Sequence, residues 1–266
     1  MREYRKGAKA RAYNALVAAA ARGAAHVITD SVASKEDVIE HLGISAEKIS
    51  AIYLAVDHNK YNTQDNMLLD MAVKQQYGLD DFYTLYLGGY EIHKNVPQLL
   101  AAWVYVAKAL GDDYPLLLAG KKPTKVSERF PDYDAIIEQL GIGDYVRWIG
   151  YVDEEHKPIV YREAMTFVFP SKAEGFGLPP LEAMACGTPV VTTNAKSLPE
   201  VIGDAGFTVD PDSERELAGA IIATLVQDNL NAELRAKGLE QAKKFNWEKT
   251  AHETLLVYDQ VLNGKR

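Results

Sequence analysis

The chain of 266 residues holds a single cysteine, Cys186. One thiol excludes an internal disulfide and a cysteine-built metal cluster. Its apolar surroundings make a buried structural thiol the expected role. No apolar run approaches the ~20 residues that span a bilayer, and no signal-peptide pattern opens the chain. Basic residues are outnumbered, 29 Lys+Arg against 37 Asp+Glu for a net charge of −8. That balance argues against a nucleic-acid partner, whose footprint is basic. G-x-G-x-x-G, Walker, H-E-x-x-H and G-x-S-x-G patterns are all missing. His26, His41, His58, His156 and His252 have no ligand-like spacing. A cytoplasmic protein is the simplest reading, and 47% apolar residues suffice for a substantial core.

What is there alternates. Short apolar runs at 25–29, 49–54, 82–87, 115–120, 145–150, 166–170 and 189–193 read as strands. Amphipathic stretches at 34–42, 66–77, 95–110, 132–140, 154–163 and 180–186 read as helices, with roughly three more from 212 to 262. This alternation predicts an α/β fold, a doubly wound parallel sheet with a helical C-terminal segment. The polar stretch 58–66 is the best linker, dividing a front piece (1–57) from an α/β domain (67–266). Ligands of such sheets sit in the loops after the strands, here 88–95, 120–126, 150–154, 171–179 and 194–199.

"EGFGLPPLEAMACGTPVV" (174–191) occupies one of these loops. Pro180 fits a first helical turn, where no backbone donor is lost, and Gly187 closes the helix. Backbone N–H groups of Gly177 and Leu178 at the positive helix end suit a phosphate. Glu174 precedes this turn and Glu182 follows it, which suits gripping two parts of an elongated ligand. A carboxylate accepts two hydrogen bonds from a diol such as ribose. A capped turn with solvated acids is the plain alternative.

The stretch resembles the signature of retaining glycosyltransferases of family 4. "AHVITDSVASKEDVIEHLGISAEKISAIYLAVD" (25–57) is similar to that family's interdomain segment, "YLGGYEIHKNVPQLLAAW" (86–103) to its phosphate loop and helix, and "VRWIGYVDEEH" (146–156) to its base-holding loop. The resemblance implies a GT-B fold, this chain carrying the C-terminal donor-binding domain and the tail of the N-terminal one. It implies that Glu182 binds the donor ribose and Glu174 the sugar hydroxyls. Gly175, Phe176, Gly177 and Leu178 would offer backbone N–H groups, and Lys94 would neutralise the diphosphate. Glu174 and Lys94 are thus the catalytic candidates. Gly88, Gly89, Asn95, Lys121, Tyr151, Val152 and Ser171 complete the expected donor site, with no metal and no cofactor. A leaving diphosphate then meets a cation and a helix dipole instead of a metal.

One departure is Gly89, where many members carry arginine; His93 or Lys121 could compensate. The acids of "DPD" (210–212) mimic a metal pair but more simply cap a helix near Ser213. Only about 57 residues precede the linker, so a missing N-terminal domain or a partner chain is expected to supply an acceptor that the sequence does not name. The alanine-rich segment 1–24 carries Arg2, Arg5, Lys6, Lys9, Arg11 and Arg22 against Glu3. It reads as a solvated helix face or as one that docks on a membrane surface or partner. The expected activity is hexose transfer from a UDP- or GDP-linked sugar with retention. A non-catalytic nucleotide-sugar-binding or assembly module is the alternative, and a pyridoxal-phosphate phosphorylase a more distant one.

Overall fold

The computed structural model describes residues 8–264. Arg2, Glu3, Arg5 and Lys6 of the expected basic helix lie outside the described residues. The chain forms two compact units, residues 1–54 with 248–266 and residues 55–247.

In the first unit, α1 (Ala8–Gly23) leads to β1 (Val27–Thr29), α2 (Val32–Leu42) and β2 (Ile49–Ala51). Ser31 caps α2, its Oγ accepting from Ser34 N at 3.0 Å. β1 and β2 pair in parallel, Val27 opposite Ile49. Tyr13, Leu16 and Val17 of α1 are exposed.

The second unit runs α3 (Met67–Tyr77), β3 (Thr84–Leu87), α4 (Val96–Leu110), β4 (Leu116–Ala119), α5 (Tyr133–Leu140), β5 (Val146–Gly150), α6 (Lys157–Arg162) and β6 (Thr166–Phe169). It continues with α7 (Leu178–Ala185), β7 (Val190–Thr193), α8 (Leu198–Ile202), β8 (Gly206–Val209), α9 (Glu214–Val226) and α10 (Asp228–Ala242). The last helix, α11 (Trp247–Asn263), belongs to the first unit from Glu248 onward. The domain expected over 67–266 therefore ends earlier.

Six parallel strands lie in the order β5-β4-β3-β6-β7-β8, the doubly wound arrangement of a dinucleotide-type fold. β3, β4, β6 and β7 are buried along their whole length. That matches their largely apolar sequences, with Thr84, Thr166, Thr192 and Thr193 buried among them, since helices cover both faces of a parallel sheet. Trp103 of α4 and Ile221 of α9 are among the fully buried side chains of these cover layers.

Two elements escaped the sequence reading. β8 starts on Gly206, where a Cβ would lie 2.6 Å from the Val190 carbonyl oxygen, so only glycine lets this edge strand pair closely. α8 has just five residues, too few to show a helical period. The expected linker 58–66 is also no free tether. Tyr61 is buried with its ring 6.3 Å from that of Tyr161, and His58 Nε2 lies 3.1 Å from the Phe245 carbonyl.

Gly120, directly after β4, has φ +127°, and a Cβ there would collide with the Gly88 carbonyl. Gly219 in α9 has open space around it. Gly120→Ala is expected to cost about 2–4 kcal/mol through backbone strain and collision. Gly219→Ala should gain roughly 0.5–1 kcal/mol from helix propensity. Denaturant unfolding checks both, and equal effects would contradict the geometry.

Candidate functional site

β3 and β6 are neighbours, and the sheet grows outward from them in both directions. Their following loops therefore face one another across the crevice where this fold class holds ligands. After β3 the chain makes a 3-10 turn at Ile92–Lys94, and Asn95 takes a left-handed conformation at φ 59°. After β6 it runs through Ser171 to Gly177 before α7. Lys94 Nζ and Glu174 Oε1 meet between the loops at 2.7 Å, their side chains only 19% and 14% exposed. The Lys94 ammonium also stands 5.5 Å above the Phe169 ring centre.

Buried hydroxyls fix the Glu174 loop. Ser197 Oγ donates to the Glu174 carbonyl at 3.0 Å or the Phe176 carbonyl at 2.7 Å. Thr193 Oγ1 donates to the Ser171 carbonyl at 2.6 Å. Ser171 N-terminally joins the two loops, its Oγ 3.2 Å from the His93 carbonyl. Phe176 is not a ligand-facing ring, because it is buried edge-on against Phe245 with centroids 5.7 Å apart. Gly177 precedes α7 at φ +124°, and its α-carbon faces Leu198, which a Cβ would approach to 3.1 Å. Asn95 spends its side-chain amide on the Pro211 carbonyl at 2.7 Å, so it braces the loop from behind. Ser213 caps α9, accepting from Glu216 N at 3.2 Å, and Asp210 Oδ1 accepts from Asp212 N at 2.8 Å. Of the "DPD" acids, Asp210 is used in the turn and Asp212 pairs with Lys172 Nζ at 2.5 Å.

The loop after β3 is shaped by phenols. Tyr86 donates to the Gly89 carbonyl, Tyr133 to the Tyr90 carbonyl at 2.7 Å and Tyr90 to the Ala119 carbonyl at 3.0 Å. Beside it lies a cavity of about 350 Å³ lined by Gly88, Gly89, Gly120, Lys121, Tyr151 and Val152. Glu91, Phe130 and Lys157 also line it, and the sequence had not marked them. At Gly89 a Cβ would strike the Glu91 carboxylate, which pairs with Arg129 at 3.3 Å. The space beside Gly89 is thus taken by an acid. Burial and the adjacent Lys94 lower the His93 pKa. Both effects weaken His93 as a cation where other members carry arginine. Lys121 stands in the cavity wall.

Glu182 lies on α7 and is partly buried. The Tyr161 hydroxyl donates to its Oε2 at 3.0 Å, and Tyr61 is an electrostatic neighbour of the same carboxylate, its ring 6.3 Å from that of Tyr161. Burial raises the Glu182 pKa, while the two phenols and Lys157 pull it back. Cys186, one turn on, is 1% exposed, and burial pushes its thiol up to about 12, so it is inert as a nucleophile. Among the described residues, one three-residue group with ligand-type side chains is Asp37, Glu40 and His41 on α2, and its acid Glu40 and His41 are exposed.

Residues 71–245, more than half of the chain, match the profile described as glycosyl transferases group 1. The chain belongs to this family of glycosyl transferases group 1. It is 35% identical over 232 residues to O-antigen chain mannosyltransferase B of Escherichia coli, covering 87% of this chain and 60% of that protein. It is 29% identical to O-antigen chain mannosyltransferase RfbU of Salmonella typhimurium, covering 74% and 50%. Sucrose-phosphate synthase from Thermosynechococcus elongatus superposes with a TM-score of 0.81 at 25% identity, covering 96% of this chain and 62% of that one. Anabaena HepE, solved in complex with UDP, is alike in fold at a TM-score of 0.77 and 24% identity, covering 90% and 65%. The group 1 chain thus spans about half to two thirds of the lengths of these proteins. Its second unit has the Rossmann-like architecture of the GT-B C-terminal domain.

Within this group 1 fold, Lys94, Ser171 and Glu174 converge at the switch point, and Gly88, Gly89, Lys121, Tyr151 and Val152 converge around the cavity. Glu182 does not line the cavity itself, but its charge neighbour Lys157 does. The raised Glu182 pKa has a consequence for stability. A carboxyl whose folded pKa exceeds its unfolded value contributes most at low pH, and that contribution fades as pH rises through the folded pKa. Glu182→Gln removes the buried charge. Its melting temperature is expected above wild type at pH 7, with the difference vanishing below about pH 4, where Glu182 is protonated in both states. Thermal unfolding across pH checks this, and a lower melting temperature at pH 7 would contradict it.

Proposed function

We propose that this chain is the donor-binding part of a retaining hexosyltransferase that uses a UDP- or GDP-linked sugar. The observation that carries the reading is the Lys94–Glu174 pair at the β3/β6 switch point, beside a glycine-lined cavity. The ribose rests on Glu182, the sugar hydroxyls on Glu174 and the diphosphate beside Lys94 and Lys121. In transfer, the bond from the anomeric carbon to the diphosphate oxygen breaks, and its electron pair leaves with the nucleotide. The acceptor oxygen bonds the same carbon from the same face and passes its proton to the leaving diphosphate. Charge builds on the leaving diphosphate, and the lysine ammonium offsets it in a dry crevice. No metal is required in this scheme. Mannose is the first sugar to test, because the relatives named above are mannosyltransferases.

A further domain or partner chain supplies the acceptor wall in this proposal, and the basic α1 is the candidate face for docking it or a membrane surface. We place the protein in the cytoplasm, where nucleotide sugars are made available to such enzymes.

Calorimetric titration with UDP, GDP, ADP and their hexose conjugates in EDTA tests the site. One of UDP or GDP is expected to bind unchanged in EDTA, and loss of binding that magnesium or manganese restores would contradict the scheme. Glu182→Ala should weaken the bare nucleotide by roughly 1–3 kcal/mol, and Glu174→Ala should weaken the hexose conjugate more than the nucleotide. Equal effects of both on the bare nucleotide would overturn the division of roles.

Holding an acceptor against the anomeric carbon can supply ~7–11 kcal/mol of the barrier. Without an acceptor wall, the 266-residue chain should therefore bind donor only weakly and release nucleotide slowly, by hydrolysis at most. Robust turnover with an added acceptor would contradict this. Binding with no turnover even beside the completing chain would favour the non-catalytic binding module.

A further inference from the structure

Two phenols close on Glu182 from different parts of the chain. Tyr161 comes from α6, is fully buried and donates to Glu182 Oε2 at 3.0 Å. Tyr61 comes from the 55–66 segment, is 5% exposed, packs 6.3 Å from the Tyr161 ring and is an electrostatic neighbour of the same carboxylate. Tyr161 itself is locked, with its ring edge-on to Phe167 at 5.2 Å and its carbonyl accepting from Thr188 Oγ1 at 2.6 Å. Neither phenol lines the cavity.

A carboxylate has about four lone-pair sites, and a phenol acting as donor fills one. Tyr161 fills one, which leaves room for the two O–H donors of a ribose cis-diol. The Glu182 side chain is not closed off, since the residue retains intermediate exposure.

We infer that Tyr61 and Tyr161 are positioning residues that present Glu182 as an oriented, ionised acceptor for a ribose cis-diol, and so select ribonucleotides over 2′-deoxyribonucleotides. This rests on the proposed ribose role of Glu182. Unassisted burial would favour the neutral carboxylic acid, which carries its own O–H and accepts poorly. The groups facing the carboxylate are Tyr161 and Lys157 of α6, Tyr61, Glu154 ahead of α6, and Cys186 on its own helix. Of these, the two phenols and Lys157 favour the charged form, and only Lys157 is also in the cavity wall. The phenols therefore act on the ligand through Glu182 alone.

The test compares the 266-residue wild type with Tyr161→Phe, Tyr61→Phe, Glu182→Gln and Lys94→Ala. The probes are UDP, GDP and their 2′-deoxy counterparts, titrated between pH 5 and 8. Wild type should prefer the ribonucleotide by roughly ten- to hundredfold, as for hydrogen bonds to a charged group. Each Tyr→Phe variant should cut that preference several-fold and move the pH at which affinity is half lost upward. Glu182→Gln should abolish both the preference and the pH dependence. Lys94→Ala should weaken ribo and deoxy forms alike and leave their ratio intact. Two substituted tyrosines guard against one variant failing to fold, and thermal unfolding reports on each. If both Phe variants keep the wild-type preference and pH midpoint while Glu182→Gln loses them, the inference fails and the ribose reading stands. If wild type shows no ribo preference, both fail.

Discussion

The Lys94–Glu174 pair is the contact on which the rest of the site depends. Both side chains are mostly withdrawn from water, and they join the two loops that the strand order brings face to face. A pair of this kind adds little net stability, because desolvation offsets its attraction. What it does is fix two loops whose backbones are already pinned by Ser171, Thr193 and Ser197. The result is a preset cation next to a preset acid, at the place where a parallel sheet opens to ligand.

The two acids that frame the GFGLPP turn are different chemical groups in this fold. Glu174 is met by an ammonium, whereas Glu182 is met by the Tyr161 phenol. One is held in charge balance at the crevice, and the other is kept ready by an uncharged donor. The sheet gives the spacing, and the environment of each carboxyl gives the role.

Much of this was legible in the sequence. Short apolar runs marked seven of the eight strands, because buried parallel strands need no alternation. The loops after β3 and β6 announced themselves by glycines and by Lys94, Glu174 and Glu182. What stayed hidden depends on tertiary placement. Tyr61 sits in a stretch polar enough to read as a linker, and only the fold brings it beside Glu182. Ser197 follows a turn and looks like any loop serine until its hydroxyl reaches back over more than twenty residues. Glu91 and Phe130 reach the cavity from loops whose course no local pattern specifies. The last helix read as a continuation of the α/β domain, since amphipathicity does not say which body a helix covers.

The most direct measurement is a crystal structure of the chain soaked with UDP or GDP. The account expects the ribose hydroxyls within hydrogen-bond distance of Glu182, the diphosphate beside Lys94, and the base in the cavity bounded by Gly120, Tyr151 and Val152. A nucleotide seated instead in the first unit's cavity, between His26, Lys48 and Gln260, with Lys94 still paired to Glu174 and Glu182 untouched, would contradict it.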